Sequence, residues 1–396
     1  MKRVALAGAA GLLAALPGIV HAQSSVTLYG LVDAGIAYTN NQRGASNIQS
    51  TSGKQSGSRW GLKGVEDLGG GYKAVFTIEN GFRINDGTLA QGGREFGRQA
   101  FVGLAKTGIG TLTLGRQYDP NTDLLTPYAG PGFWSPATHI GDNDNLNQTF
   151  RINNAAKFRS DTIAGFTVDA LYAFSNQANG GAGTGFGNNR AWGVAANYAN
   201  GPLSLGAGYY KLDHPDTGTN TSGAIGGAST TTGDDYSGAF FYGLNGGVNR
   251  QQVAVAGANY AIGSLATVGF AWSHTQLDYN DGSSRKFNNY DVNGRYNLSP
   301  STTLVGVYTF TDGRANSLPG TTGTLKPRWH QFTLGVDYAL SKRTDVYLSG
   351  VYQLAAGDAS TRVGTGYQKI AAIADAGTAS STNRQVAAFG GLRVKF

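Results

Sequence analysis

From residue 25 to its end, the chain repeats one pattern: short runs in which apolar and polar residues alternate with a period of two. In the first run Val26, Leu28, Val32, Ala34, Ile36 and Tyr38 mark one face, and Thr27, Tyr29, Asp33 and Gly35 mark the other. Period two places successive side chains on opposite sides of an extended strand. Such runs recur sixteen times, over 25–39, 57–66, 72–85, 95–105, 109–117, 154–160, 166–175, 190–199, 202–213, 250–261, 265–278, 288–297, 302–312, 329–340, 344–355 and 385–396. One such strand fits a soluble sandwich equally well, with its apolar face turned inward. The connections distinguish the two. Tight turns (67–71, 106–108, 161–165, 200–201, 262–264, 298–301, 341–343) alternate with long polar loops (40–56, 86–94, 118–153, 176–189, 214–249, 279–287, 313–328, 356–384).

Short turns at one end, long loops at the other and an even strand count are the pattern of a closed barrel in an outer membrane. The fold class read from the sequence is therefore all-β: a transmembrane antiparallel up-and-down β-barrel of sixteen strands. Dividing the chain gives about 23 residues per strand plus connection, and a tilted spanning strand takes ~9–11 of them. Hydrocarbon requires every backbone N–H and C=O to be paired, which a closed sheet achieves without helices. Tyr38, Tyr198, Tyr260, Tyr279, Tyr338 and Tyr352 lie near strand ends, where a ring half dry and half wet forms the interfacial girdle.

The first 22 residues read as a leader. Lys2 and Arg3 precede an apolar stretch from Val4 to Val20, and Val20-His21-Ala22 offers a small-residue cleavage site. The expected organisation is a signal peptide over 1–22 and a barrel over 23–396. Beyond residue 22 no apolar run approaches the ~18 residues of a membrane helix. Composition closes other routes. The 61 glycines follow no collagen period, and aromatics at 11% argue against disorder. No cysteine is present, so disulfides and thiolate metal sites are excluded. The net charge of +7 is dispersed and not clustered, so no nucleic-acid partner is expected.

Several stretches carry a family resemblance. Ser24-Ser-Val-Thr-Leu-Tyr-Gly30, Ser58-Arg-Trp-Gly-Leu-Lys-Gly-Val-Glu-Asp-Leu-Gly-Gly-Gly71, Arg98-Gln-Ala-Phe-Val-Gly-Leu104, Leu114-Gly-Arg-Gln-Tyr-Asp119 and the terminal Arg393-Val-Lys-Phe396 resemble the trimeric general-diffusion porins of Gram-negative bacteria. The likeness is to their beta-proteobacterial (Burkholderia- and Neisseria-like) branch and covers the chain outside its loops. It implies a homotrimer in the outer membrane, in contact with the lipid bilayer and lipopolysaccharide. It also implies insertion by the barrel-assembly machinery, for which Phe396 supplies the terminal signal. The activity implied is passive diffusion of small hydrophilic solutes and ions, with no cofactor and no catalysis.

In the resembled family the third long loop folds inward. Here that loop, 118–153, carries Asp119, Asp123, Asp142 and Asp144, four prolines, and Phe133 and Trp134 as candidate wall anchors. Opposed strips of charge set ion preference in such a pore. Strand parity turns Arg59, Lys63, Arg83, Lys157 and Arg159 to the lumen, with Asp33 and Glu79 as lumen anions. Arg98 has the parity of Val102 and Leu104 and would point outward. By resemblance, however, Arg59, Arg98 and Arg151 match a three-arginine wall cluster facing the constriction loop. Arg116 reads as a subunit-interface or loop-anchoring arginine. The cations slightly outnumber the anions, which predicts a weak anion preference.

Other motifs lack their context. Gly181-Ala-Gly-Thr-Gly-Phe-Gly187 has no following helix to bind a phosphate. Asp142-Asn-Asp-Asn145 lacks the glycine and glutamate of a calcium loop, although calcium at exposed loops stays open. No catalytic constellation accompanies the four scattered histidines of the mature chain. A solute-specific channel, an outer-membrane barrel enzyme and a secreted soluble β-protein are the competing readings.

Overall fold

The computed structural model describes residues 24–215, 220–226, 236, 240–363, 366–374 and 376–396. The expected leader, 1–22, lies outside the described residues. Eighteen strand segments form one antiparallel sheet. Two of them, Ala45–Ser52 and Thr324–Leu325, are additions within loops. The remaining sixteen are β1 (Ser25–Gln42), β2 (Arg59–Gly69), β3 (Tyr72–Gly81), β4 (Gln99–Lys106), β5 (Gly110–Gln117), β6 (Ile152–Ser160), β7 (Phe166–Ala173) and β8 (Arg190–Asn200). They continue as β9 (Leu203–Asp213), β10 (Val248–Ile262), β11 (Ala266–Tyr279), β12 (Ser284–Ser299), β13 (Thr302–Asn316), β14 (Pro327–Ala339), β15 (Thr344–Gly357) and β16 (Arg384–Lys395). Each pairs with its sequence neighbours. β1 closes the ring by pairing with β2 over Ser25–Leu31 and with β16 over Leu31–Thr39.

All sixteen predicted strands are present, and the faces are inside out relative to a soluble protein. Along β15, Val346 and Leu348 are exposed, while Asp345, Tyr347, Ser349 and Gln353, at the odd positions, are buried. Leu334 on β14 is 71% exposed, whereas Gln331 and Thr333 are buried. An apolar exterior around a polar interior is what lipid outside and water inside demand, and it excludes the sandwich. Glycines on the outer face are covered by rings from the next strand. Phe76 lies over Gly64, and the Phe396 ring lies across Gly30, whose backbone exchanges two 3.0 Å hydrogen bonds with Phe396.

Several strand boundaries differ from the sequence expectation, by up to four residues. β12 starts at Ser284, because Tyr279 and Ser283 close a tight hairpin, so the loop expected over 279–287 shrinks to 280–283. Tyr279 itself has lumen parity and is 2% exposed, its hydroxyl donating to the Phe241 carbonyl at 2.9 Å. It is an interior residue and not a girdle tyrosine.

Candidate functional site

The chain between β5 and β6, residues 118–151, lies inside the barrel. Asp119 caps a one-and-a-half-turn helix, α1 (Pro120–Leu125), accepting from the Thr122 N–H at 3.0 Å and the Thr122 hydroxyl at 2.7 Å. The loop then follows the inner wall, where side chains of the wall strands catch its backbone carbonyls. Asn259 donates to Pro127 O at 2.9 Å, Asn293 to Tyr128 O at 2.8 Å, Arg295 to Phe133 O at 3.1 Å and Gln331 to Thr138 O at 3.0 Å. Glycines on the wall admit the loop's rings: a side chain at Gly257 would meet Tyr128, and one at Gly335 would meet Trp134. Phe133 and Trp134 are buried in a cluster with Val305, Val307 and Tyr347.

One ion cluster joins the far part of this loop to the wall. His139 sits between two carboxylates, Nδ1 at 2.6 Å from Asp144 and Nε2 at 2.8 Å from Asp291 on β12, all three fully enclosed. With a carboxylate at each ring nitrogen both must donate, so the ring is the cation. Burial opposes its charge, but the two aspartates raise its pKa well above that of a free histidine. Asp144 also accepts from the Ser273 hydroxyl at 2.5 Å. Burial pushes its pKa up, yet the imidazolium holds the group below the ordinary carboxylate range. Asp291 further accepts the Gly130 N–H at 2.8 Å.

The remaining loop acids are occupied as well. Asp142 accepts the N–H groups of Asn147 (2.9 Å) and Thr149 (3.0 Å), and burial together with Asp144 pushes its pKa up to about 7. Asp123 pairs with Lys157 and lies 2.9 Å from Arg159. The expected strip of loop acids facing the basic wall is therefore absent from its place: Asp119, Asp142 and Asp144 serve the loop's own architecture. Only Asp123 meets wall cations, and Asp169 shares the same two.

Among the expected basic residues, the structure brings Arg59, Arg98 and Arg151 together. Arg98 Nε donates to Glu79 at 2.6 Å and Nη2 to the Tyr118 hydroxyl at 2.9 Å. Arg98 precedes the first residue of β4, so strand parity does not govern it, and it turns inward. Arg151 stacks on Tyr118, 5.0 Å from the ring centre, and donates to its hydroxyl at 3.2 Å. Arg59 is the more open of the three and lies 4.0 Å from Glu79. Lys63 is exposed above the Tyr29 ring. Arg83 is not on the wall: β3 ends at Gly81, and Arg83 is exposed in a turn where its carbonyl accepts the Gly87 N–H. Arg116 lies within a bulge in β5 and ties the Gly97 carbonyl (2.8 Å) to Asn153, which fits its loop-anchoring alternative.

A cleft of about 420 Å³ runs between Arg59, Arg98 and Arg151 on one side and Thr126, Ser135, Asn147 and Gln148 of the loop on the other. The loop's lip is thus polar and uncharged. Sequence reasoning missed three contributors. Tyr118 organises the arginines, and Gln55 and Ser56 from the first loop line the same cleft. The hint for Tyr118 was its place between Arg116 and Asp119. Nothing local marks Gln55.

Residues 8–317 match the sequence profile of a Gram-negative porin. The chain is 32% identical to an outer membrane porin protein of Bordetella pertussis, covering 89% of this chain and 94% of that one. It is 31% identical to outer membrane porin protein 32 of Delftia acidovorans over 84% and 85% of the two chains. Among solved structures it is similar to an anion-selective porin from Comamonas acidovorans, at a TM-score of 0.72 and 25% identity over 94% of this chain and all of that one. A trimeric form of Vibrio cholerae OmpT shares the fold at a TM-score of 0.64 and 18% identity, covering 94% of this chain and 99% of that one. Kinship over most of its length, with a closed barrel around a polar interior, makes this chain a member of the Gram-negative porin family: a non-enzymatic outer-membrane channel for passive diffusion.

Proposed function

We propose that the channel prefers anions among the small hydrophilic solutes and ions it passes, and that loop 118–153 narrows it opposite Arg59, Arg98 and Arg151. One observation carries this reading: three arginines flank the cleft with Glu79, among the described residues, as their only close carboxylate, while the loop acids are engaged elsewhere. The anion-selective relative from Comamonas supports it. The deciding measurement is the reversal potential of single channels in a planar bilayer under a KCl gradient. A sign set by chloride supports the reading, and a sign set by potassium removes it. Conductance in steps of three would support a homotrimer, as does the trimeric Vibrio neighbour.

Two outer-surface features bear on the partners. Lys286 and Arg314 are register partners on β12 and β13, and among the described residues neither has an ion-pair partner. Like charges directly opposite are unfavourable, and this pair stands two rows beyond the stacked rings of Tyr290 and Phe310. A phosphorylated headgroup such as that of lipopolysaccharide would neutralise it. Purified Lys286→Ala/Arg314→Ala protein is expected to retain less lipopolysaccharide than Lys342→Ala/Arg343→Ala, which loses the same charge at the opposite end. Equal retention would count against the site.

Phe396 is proposed as the signal read by the barrel-assembly machinery. Phe396→Ala should lower the amount reaching the outer membrane while refolding from urea into detergent proceeds as in the wild type. A parallel loss in refolding would make the ring a packing residue over Gly30.

A further inference from the structure

The end of the first external loop, 53–58, turns back into the barrel and is held there chiefly by Asp33. Asp33, on the lumen face of β1, is itself 0% exposed. Its carboxylate accepts the N–H of Ser56 at 2.7 Å and of Gln55 at 3.1 Å, and also the Tyr347 hydroxyl at 2.7 Å. Its backbone carbonyl accepts the Gly53 N–H at 2.9 Å and the Ser58 hydroxyl at 3.1 Å, while its own N–H donates to Ser58 Oγ at 3.0 Å. Arg393 of β16 adds a 2.7 Å bond to Ser56 Oγ. Gly53, at φ 72°, makes the reversal that only glycine takes without strain.

We propose that this tip is a second jaw of the constriction, with Gln55 as a residue that touches passing solutes and Asp33 as its positioning residue. Gln55 and Ser56 line the cleft below the inward loop, with Phe133, Trp134 and Arg295, as well as the cleft beside Arg59 and Ser135. They therefore stand at both levels of the narrow zone. The Gln55 side chain is half-buried in the cleft, and its oxygen has no hydrogen-bond partner among the described residues, so a turn of the side chain toward the cleft presents a free acceptor to a solute. Asp33, by the same geometry, is spent on holding the tip and contributes little as a free charge to the pore.

The chain's lack of cysteine makes the test direct. Gln55→Cys becomes the only thiol, to be labelled with a bulky neutral maleimide and read by single-channel conductance. Labelling is expected to lower conductance about twofold or more, as should labelling of Ser135→Cys on the opposite lip. The exposed Ser46→Cys should label without effect. Asp33→Ala in the Gln55→Cys background should weaken the block, because the tip is no longer held. Complete labelling at Gln55→Cys with unchanged conductance overturns the jaw, and an undiminished block in the Asp33→Ala background overturns the positioning role. The inference rests on the channel reading, whose own failure would appear separately as absence of conductance in the unlabelled wild type.

Discussion

Arg59→Ala/Arg151→Ala channels should lose the proposed anion preference. Each charge standing about 7 Å from a permeating ion contributes about 0.6 kcal/mol in water, and roughly half of that survives screening at 0.1 M salt. Two such charges act with opposite sign on chloride and potassium, which amounts to about 1.2 kcal/mol of discrimination, or about sevenfold in permeability. With both removed, Arg98 faces Glu79 at 2.6 Å and the cleft is close to neutral. The reversal potential under a KCl gradient should then fall toward zero. Arg151 also donates to the Gln148 carbonyl, so Arg59→Ala alone serves as a milder variant and should move the potential part of the way. Folded, conducting channels with the wild-type potential would show that selectivity resides elsewhere.

His139→Leu should release the inward loop from the wall. The substitution leaves Asp144 and Asp291 enclosed without their shared cation, and breaking a buried ion cluster in this way costs about 3–5 kcal/mol. The barrel itself should survive, since its ladder does not pass through His139. The expected readout is noisy, fluctuating conductance and new protease cleavage between 126 and 148 in an otherwise heat-resistant barrel. Quiet channels and an uncut loop would show that the carbonyl contacts alone hold it.

The same cluster sets a pH dependence. His139 titrates higher in the folded chain than free, so its contribution is complete below about pH 6.5 and is lost as pH rises through the folded value. Asp142, pushed up to about 7, binds its proton more tightly when folded, so docking weakens further as pH rises from about 4 toward 7. Asp144 works in the opposite direction: its contribution is present above about pH 4 and disappears as pH falls through its lowered value. The loop should therefore be held most firmly in mildly acidic solution, with channel noise growing toward alkaline pH. In His139→Leu most of that alkaline rise should vanish.

Strand parity is a local property, and for that reason the barrel was legible in the sequence. Lipid outside and water inside impose a period of two on every strand, and Arg59, Lys157 and Arg159 could be assigned to the lumen from their neighbours alone. Arg98 was ambiguous because it stands one residue before its ladder begins, where parity has no force. The fate of the loop acids was not legible. Asp144 is settled by Ser273 and Asn289, which lie 129 and 145 residues away in sequence, and the ring it faces reaches on to Asp291. A carboxylate that caps a turn and one that faces a pore look identical in a string of letters. The inward turn at 53–58 was hidden for the same reason, since Asp33 reads equally well as a pore charge.

Outside the His139 cluster, the wall holds the inward loop by its backbone: Asn259, Asn293, Arg295 and Gln331 all grip carbonyl oxygens. A carbonyl is present whichever residue occupies the position. Side chains along much of the loop's free edge, such as Thr126, Ser135 and Gln148, can then be exchanged under selection or by design without undocking the segment. Frame and filter are in this sense separately heritable, and a lineage in a new habitat could alter what it admits through a few substitutions on one edge.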